Sequence, residues 1–188
     1  MPGLHYLPGS GWVANVSEAH CIYAHSGYCM FCGKVRPAGQ GCFDPNTEIL
    51  LEEGIVKRAH QIRVGDRLYN PLSKSAVEVR KISHGPEAEP MVEFGFEGYL
   101  LKVTRTHPVL TLAGMRRAED IKVGDVVFDA FGVEQTIRYV RQAELDPNQR
   151  VFNFELATDS GEYMDRLLVG GNIVSGDLSV QNGRLEGE

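Results

Sequence analysis

The sequence has no long hydrophobic run and no excess of positive charge. No apolar stretch approaches the roughly 18 residues that a membrane-spanning helix needs. Lys and Arg number 19 against 25 Asp and Glu, and the net charge of -6 argues against a nucleic-acid partner, which would call for a basic face. Met1–His5 lack the charged and apolar regions of a secretory signal. We therefore expect a cytoplasmic protein.

Cysteine is also scarce, and three of the four cysteines lie close together. With one histidine they form the pattern C-x3-H-x3-C-x2-C, made by Cys21, His25, Cys29 and Cys32. Four nitrogen and sulfur ligands suit a tetrahedral zinc ion, so a structural zinc is possible here. A reduced thiol cluster and a disulfide are the alternatives, and His20 is a competing ligand. The rest of 1–41 has no sustained period and predicts an irregular segment that a metal or a docked neighbour would have to order.

The pattern changes from residue 47 onward to short apolar runs separated by turns. Many short strands at such spacing predict an all-β domain. Helical signals are confined to single turns near 59–62 and 118–121. The predicted strands cover 47–51, 55–57, 66–69, 76–83, 91–95, 99–104, 108–112, 125–128, 134–142, 150–157 and 166–174.

An internal repeat indicates how these strands are arranged. Residues 58–68 match 117–127 at six of eleven positions, and 47–51 lie over 107–111 when the match is extended backward. Two copies are too few for a solenoid, so they predict two similar β-subdomains around one shared core, related by a pseudo-two-fold axis. The same superposition brings the segment that enters the first copy opposite the one that enters the second.

Two motifs lie at these entries. The first is Gly41-Cys42-Phe43, followed by a turn into a strand, and the second is the T-x-x-H sequence Thr104–His107. Together they resemble the opening blocks of the Hint family, which comprises the inteins and the hedgehog autoprocessing domains. The likeness covers about 42–176. It implies an all-β horseshoe over 42–182, preceded by an extein-like flanking segment, 1–41, and followed by a tail, 183–188.

The resemblance also implies a chemistry, an N-to-S acyl shift at the Gly41–Cys42 bond. In the family reaction the Cys42 thiol attacks the Gly41 carbonyl and gives a thioester, which is the role that Cys42 would take here. His107 would then deliver a proton to the departing nitrogen, and Thr104 would hold the scissile amide. The substrate is the chain's own N-terminal segment, in a monomer that needs no catalytic cofactor. Water, a thiol or an amine would then release that segment.

The end of the domain departs from an intein. Val151–Leu156 and Asp165–Val174 resemble the family's closing strands, yet Asn153 stands where many inteins carry Asp. Asp165 is a loop charge that we include among the candidate site residues. After Val174 the chain reads Ser-Gly-Asp, where an intein would end in His-Asn, and Asn182 is followed by glycine rather than by an acceptor nucleophile. We therefore expect N-terminal cleavage or ligation rather than full splicing.

Two other functions fit parts of the sequence. Cys42, His107 and Asn153 follow the Cys-His-Asn order of papain-like proteases, which act in trans. Such enzymes place the cysteine at the start of a helix, whereas 43–51 predicts a turn and a strand. The third possibility is a non-catalytic binding module in which a zinc-stabilised 1–41 packs on the β-domain.

Overall fold

The computed structural model describes residues 5–7, 11–13 and 41–181. Apart from short 3-10 turns and one helical turn, α1 (Leu178–Gln181), the regular structure is β. None of the helices in this part of the chain is long and apolar enough to cross a membrane. The strands are β1 His5–Leu7, β2 Gly11–Val13, β3 Glu48–Leu50, β4 Val56–Arg58, β5 Arg67–Asn70, β6 Ser75–Pro86, β7 Val92–Phe96, β8 Tyr99–Val103, β9 Pro108–Thr111, β10 Gly114–Arg117, β11 Val126–Phe128, β12 Glu134–Thr136, β13 Tyr139–Gln142, β14 Arg150–Leu156, β15 Leu167–Gly170 and β16 Ile173–Gly176.

These strands form one large sheet and three smaller ones. The large sheet has eight strands in the order β12-β11-β9-β16-β15-β3-β4, with β10 paired to β9. The order β13-β7-β8 describes one three-stranded sheet and β14-β6-β5 the other, while β1 and β2 form a separate hairpin. The large sheet contains β3 and β4 of the first copy and β9, β11 and β12 of the second, with β15 and β16 between them, and buried residues of both copies form one hydrophobic core, as the repeat predicts.

The two copies of the repeat have the same backbone hydrogen bonds. A 3-10 turn, Ala59–Gln61 in the first copy and Ala118–Asp120 in the second, follows a residue of nearly identical backbone angles in each. Ala59 N–H donates to the Thr47 carbonyl at 2.8 Å, and Ala118 N–H donates to the His107 carbonyl at 2.8 Å. This agreement confirms the predicted duplication and its backward extension, in which Thr47 corresponds to His107.

The pseudo-two-fold relation passes through the bridge between Phe43 and Val103. Asp44 N–H donates to the Lys102 carbonyl at 3.1 Å on one side of this bridge, and Thr104 N–H donates to the Cys42 carbonyl at 2.9 Å on the other. Exchanging the two copies turns each of these bonds into the other. The two entry motifs therefore meet at the centre of the domain, as the sequence predicts.

Phe43 is the side chain around which this centre packs. It is fully buried, its ring stacks on Phe154 with centroids 6.0 Å apart, and a Cβ added to Gly170 would lie 2.5 Å from the Phe43 ring. No residue larger than glycine fits at position 170 against that ring. Glycine there allows β15 to pack close to the Cys42–Phe43 segment.

Several predicted boundaries are wrong. The single strand predicted for 134–142 is two, because Ile137 is fully buried and the chain passes from the large sheet to β7 at Arg138. The run predicted for 166–174 is the hairpin β15–β16, turned by Gly171 and Asn172 with φ of 54° and 63°. Strand β10, helix α1 and the β1–β2 hairpin were not predicted, the last within a segment expected to be irregular. The proposed division of the chain at 41 and 182 stays a prediction.

Candidate active site

The T-x-x-H motif forms a tight turn between β8 and β9. His107 N–H donates to the Thr104 carbonyl at 3.1 Å, so Thr104 and His107 occupy the two ends of one turn. In the first copy, Thr47 N–H donates to the Asp44 carbonyl at 3.0 Å, which gives the same turn after Cys42. The candidate site is thus built from a pair of equivalent turns that face each other across the pseudo-two-fold axis.

Cys42 is held to Thr104 through its backbone. Cys42 N–H donates to Thr104 Oγ1 at 2.8 Å, and the Cys42 carbonyl accepts from Thr104 N–H at 2.9 Å. Cys42 is fully buried and Thr104 is 5% exposed, so water competes little for these hydrogen bonds. The nitrogen of the Gly41–Cys42 peptide bond is therefore fixed by the residue that the sequence predicts for this role.

Asn153 contacts the other side of the same peptide bond. It lies on β14, is fully buried, and its Nδ2 group donates to the Gly41 carbonyl. Its Oδ1 atom accepts the N–H of Phe154 at 2.8 Å. The carbonyl and the nitrogen of the Gly41–Cys42 bond thus each meet a buried side chain, one from β14 and one from the T-x-x-H turn.

His107 completes the cluster with its imidazole in an apolar environment. The ring is fully buried and meets the Phe43 ring edge-on, with centroids 4.3 Å apart. Within 41–181 neither ring nitrogen makes a hydrogen bond. Burial lowers the pKa of His107 to about 3, and the Gly41 carbonyl, near the ring without reaching hydrogen-bond geometry, opposes this shift only in part. The imidazole is therefore neutral at pH 7.

Asp165 is not brought to this cluster. It lies in the 3-10 turn Tyr163–Arg166 and lines a surface hollow with residues of β5, β6 and the segment after β14. Its half-buried carboxylate lines that hollow, and the structure does not bring it together with Cys42 and His107. Cys21, His25, Cys29 and Cys32 lie outside the described residues, and 41–181 contain no group of side chains that could hold a metal ion.

Asp177 is a buried carboxylate whose role the sequence did not reveal. Its oxygens accept the N–H groups of Leu156 at 2.9 Å, Ser179 at 2.9 Å and Val180 at 3.1 Å. Burial is the largest influence on the pKa of Asp177 and raises it. The Arg166 guanidinium, 3.6 Å away, acts in the opposite direction but does not cancel this effect. The sequence Asp-Leu-Ser-Val could have suggested that Asp177 caps a helix. Its hydrogen bond from Leu156 N–H on β14 could not be predicted, because it depends on the assembled fold.

Comparison with known proteins gives matches in structure only. No family model matches the sequence, and no curated protein matches it significantly. A bacterial intein-like domain from Clostridium thermocellum is similar in structure with a TM-score of 0.62 at 20% identity, over 72% of this chain and 98% of that one. The gp41-1 intein matches with a TM-score of 0.60 at 16% identity, over 73% of this chain and 98% of the intein. A DnaB intein from Synechocystis sp. PCC 6803 matches with a TM-score of 0.57 at 12% identity, over 73% of this chain and 98% of the intein.

These matches cover nearly the whole length of each solved structure, and they agree with the all-β architecture. The expectation drawn from the two sequence motifs is therefore confirmed at the level of architecture: the chain has the Hint fold, the fold of the inteins.

Proposed function

We propose that the domain processes its own chain by an N-to-S acyl shift at the Gly41–Cys42 bond. Cys42 is the nucleophile, His107 carries the proton and Thr104 positions the scissile amide. The product is a thioester that joins the N-terminal segment to Cys42. Its release by water, a thiol or an amine would free residues 1–41 from the domain.

The observation that carries this proposal is the hydrogen bond from Cys42 N–H to Thr104 Oγ1 at 2.8 Å. A backbone amide in an ordinary strand would pair with another backbone group, whereas this one pairs with the hydroxyl of the T-x-x-H motif. Attack by a thiol on the preceding carbonyl is intramolecular, so holding the peptide in one orientation supplies much of the rate. Thr104 holds the nitrogen that must leave.

The neutral state of His107 fits a proton carrier for this step. The proton of the Cys42 thiol passes to the imidazole, and the sulfur forms a bond with the Gly41 carbonyl carbon. The carbon–nitrogen bond then breaks as the same proton passes from His107 to the Cys42 nitrogen. The neutral imidazole can accept the first proton, and the low pKa that burial imposes makes the resulting imidazolium a strong acid toward the departing nitrogen, which favours the second half of the reaction.

Cleavage without splicing is supported by Asp177. It stands close to the position at which an intein would end, yet its carboxylate is occupied by three backbone N–H groups and is not free to attack the chain. The papain-like alternative is disfavoured because Cys42 precedes a bridge residue, Phe43, rather than opening a helix.

The proposal is tested by mass spectrometry of the full chain with and without dithiothreitol. We expect fragments corresponding to residues 1–41 and 42–188, released faster with thiol. Cys42→Ala should release neither, because no other atom can open this bond through a five-membered ring. Intact wild-type chain after long incubation with thiol would contradict the proposal and favour a non-catalytic module.

A matched pair of threonine variants tests the role of Thr104. Thr104→Val removes the acceptor for the Cys42 N–H and should slow cleavage about 5- to 150-fold, the equivalent of about 1–3 kcal/mol for a lost buried hydrogen bond. Thr111 is also buried and hydrogen-bonded, to Gly114 and Ala113 at 2.7 and 3.2 Å, but lies outside the cluster. Thr111→Val should reduce stability and leave the cleavage rate close to that of the wild type.

A further inference from the structure

Asn153 has both ends of its side-chain amide engaged in the interior of the domain. Oδ1 accepts the N–H of Phe154 at 2.8 Å, and Nδ2 donates to the carbonyl of Gly41. The residue is fully buried. A buried amide with both ends paired is fixed in position, so the direction of each hydrogen bond matters.

The pairing determines which end of the amide faces Gly41. Phe154 offers an N–H group, which only an acceptor can satisfy, so the oxygen of Asn153 must lie on that side. The –NH2 group then points at the Gly41 carbonyl. In the reverse orientation the –NH2 group would face the Phe154 N–H, donor against donor, and the amide oxygen would face the Gly41 carbonyl, acceptor against acceptor. The scissile carbonyl therefore meets a hydrogen-bond donor.

This arrangement replaces a normal β-ladder. Phe43 and Phe152 exchange two backbone hydrogen bonds, at 2.7 and 3.0 Å, and an antiparallel ladder continued in that register would set Gly41 opposite Phe154. The amide of Asn153 instead lies between the Phe154 N–H and the Gly41 carbonyl. It uses the N–H that a continued ladder would need, and it provides the carbonyl with a donor of its own.

We propose that Asn153 is a catalytic residue whose Nδ2 group stabilises the negative charge that develops on the Gly41 oxygen during thiol attack. This inference rests on the proposed acyl shift and adds a role that the other three residues do not supply. As sulfur bonds to the Gly41 carbon, the carbonyl becomes an alkoxide, and a donor already in place strengthens without reorganising. When the carbon–nitrogen bond breaks, the carbonyl reforms against the same donor.

The identity of this residue is decisive because an aspartate could not do the same work at neutral pH. An ionised carboxylate has the shape of the amide and could still accept from Phe154 N–H, but its second oxygen would face the Gly41 oxygen without a proton to donate. It would repel the developing alkoxide. A protonated carboxyl would regain a donor, so the effect of Asn153→Asp depends on pH.

The experiment compares first-order cleavage rates of the full chain for wild type, Asn153→Ala and Asn153→Asp from about pH 5 to pH 8. We expect Asn153→Ala to lose about 10²- to 10³-fold at every pH, the usual effect of removing one oxyanion donor. Asn153→Asp should lose as much at pH 8, and its rate relative to wild type should rise as the pH falls. A merely structural role would leave that ratio independent of pH.

Asn70→Asp is the matched control. Asn70 is also fully buried, donates to the Met164 carbonyl at 2.7 Å and accepts from Leu72 N–H at 3.0 Å, away from the cluster. The Asn70→Asp substitution should lower the melting temperature and leave the cleavage rate within about threefold of wild type. If the wild type cleaves and Asn153→Ala cleaves equally fast, the role of Asn153 is overturned while the proposed function stands. Failure of the wild type to cleave overturns the proposed function, and this role with it.

Discussion

His107 is held in an environment that opposes its protonation. The unfolded chain has an ordinary histidine with a pKa near 6.5, whereas burial in the folded domain lowers the pKa to about 3. Between these values the unfolded state binds a proton that the folded state does not. The free energy of unfolding should therefore fall as the pH drops from about 6.5 toward 3, and His107 should contribute no pH dependence above 6.5.

This prediction is checked by urea denaturation at a series of pH values in the Cys42→Ala background, where the chain stays intact. His107→Gln should flatten the curve in this window, by up to about 1.4 kcal/mol per pH unit. His60 is exposed, and His60→Gln should keep the wild-type slope. An unchanged slope in His107→Gln would show that the imidazole is not buried in its neutral form.

Single residues differ in how far their roles could be predicted. The central positions of Cys42, Thr104 and His107 were predicted from two short motifs and the repeat, whereas their roles follow from the family resemblance and stay predictions. Asp165 lies away from these residues, because the position of a loop charge depends on packing that no local pattern records. The orientation of Asn153 depends on the N–H of Phe154 on the edge of β14, which only the assembled sheet reveals.

The two copies of the repeat use glycine for the same purpose. Gly65 and Gly124 have φ of 93° and 96°, a region that L side chains rarely adopt, and a Cβ at either would meet no atom within 4 Å. The cost of adding a side chain is therefore one of backbone conformation alone. We expect Gly65→Ala and Gly124→Ala to destabilise the domain by similar amounts, about 1–2 kcal/mol each.

Chemical denaturation of the Cys42→Ala chain measures both substitutions. Gly85 on β6 has equally free space around it but a φ outside the left-handed region, so Gly85→Ala is the control and should cost less or even stabilise. Widely different effects at Gly65 and Gly124 would contradict the equivalence of the two turns. A large loss in Gly85→Ala would mean that space, rather than conformation, limits these positions.

Elements were easiest to predict where the repeat gave two readings of the same turn. The 3-10 turns at Ala59–Gln61 and Ala118–Asp120 lie within the two helical signals of the sequence. The break between β12 and β13 was missed because no glycine, proline, asparagine or aspartate interrupts 134–142, although its two strands pair in different sheets. Strand partners, unlike strand propensity, are a property of the whole fold.

At the scale of the molecule, the duplication explains why the candidate site lies where it does. The bridge between Phe43 and Val103 joins the two copies, so the residues beside it come from both of them. The central position could be predicted from the repeat, whereas the contribution of β14 could not. The zinc site of Cys21, His25, Cys29 and Cys32 stays a prediction, which elemental analysis of wild type and of Cys29→Ser/Cys32→Ser would check.

The same geometry predicts that cleavage occurs within one chain. The Gly41–Cys42 bond is held by Thr104 and Asn153 of its own domain, and Cys42 is fully buried. A second molecule would have to displace these contacts before it could present a substrate. The first-order rate constant should therefore stay the same across an about hundredfold dilution, because the reacting groups have a fixed effective concentration.

Mixing provides the complementary measurement. Intact Cys42→Ala chain carries a scissile bond but no nucleophile, and we expect it to remain uncut when wild-type protein is added in excess. A papain-like hydrolase would cleave it at a rate that rises with the wild-type concentration, and its own cleavage would slow in proportion to dilution. Either result would contradict processing in cis, because a bond enclosed by its own domain is accessible only to the cysteine that forms it.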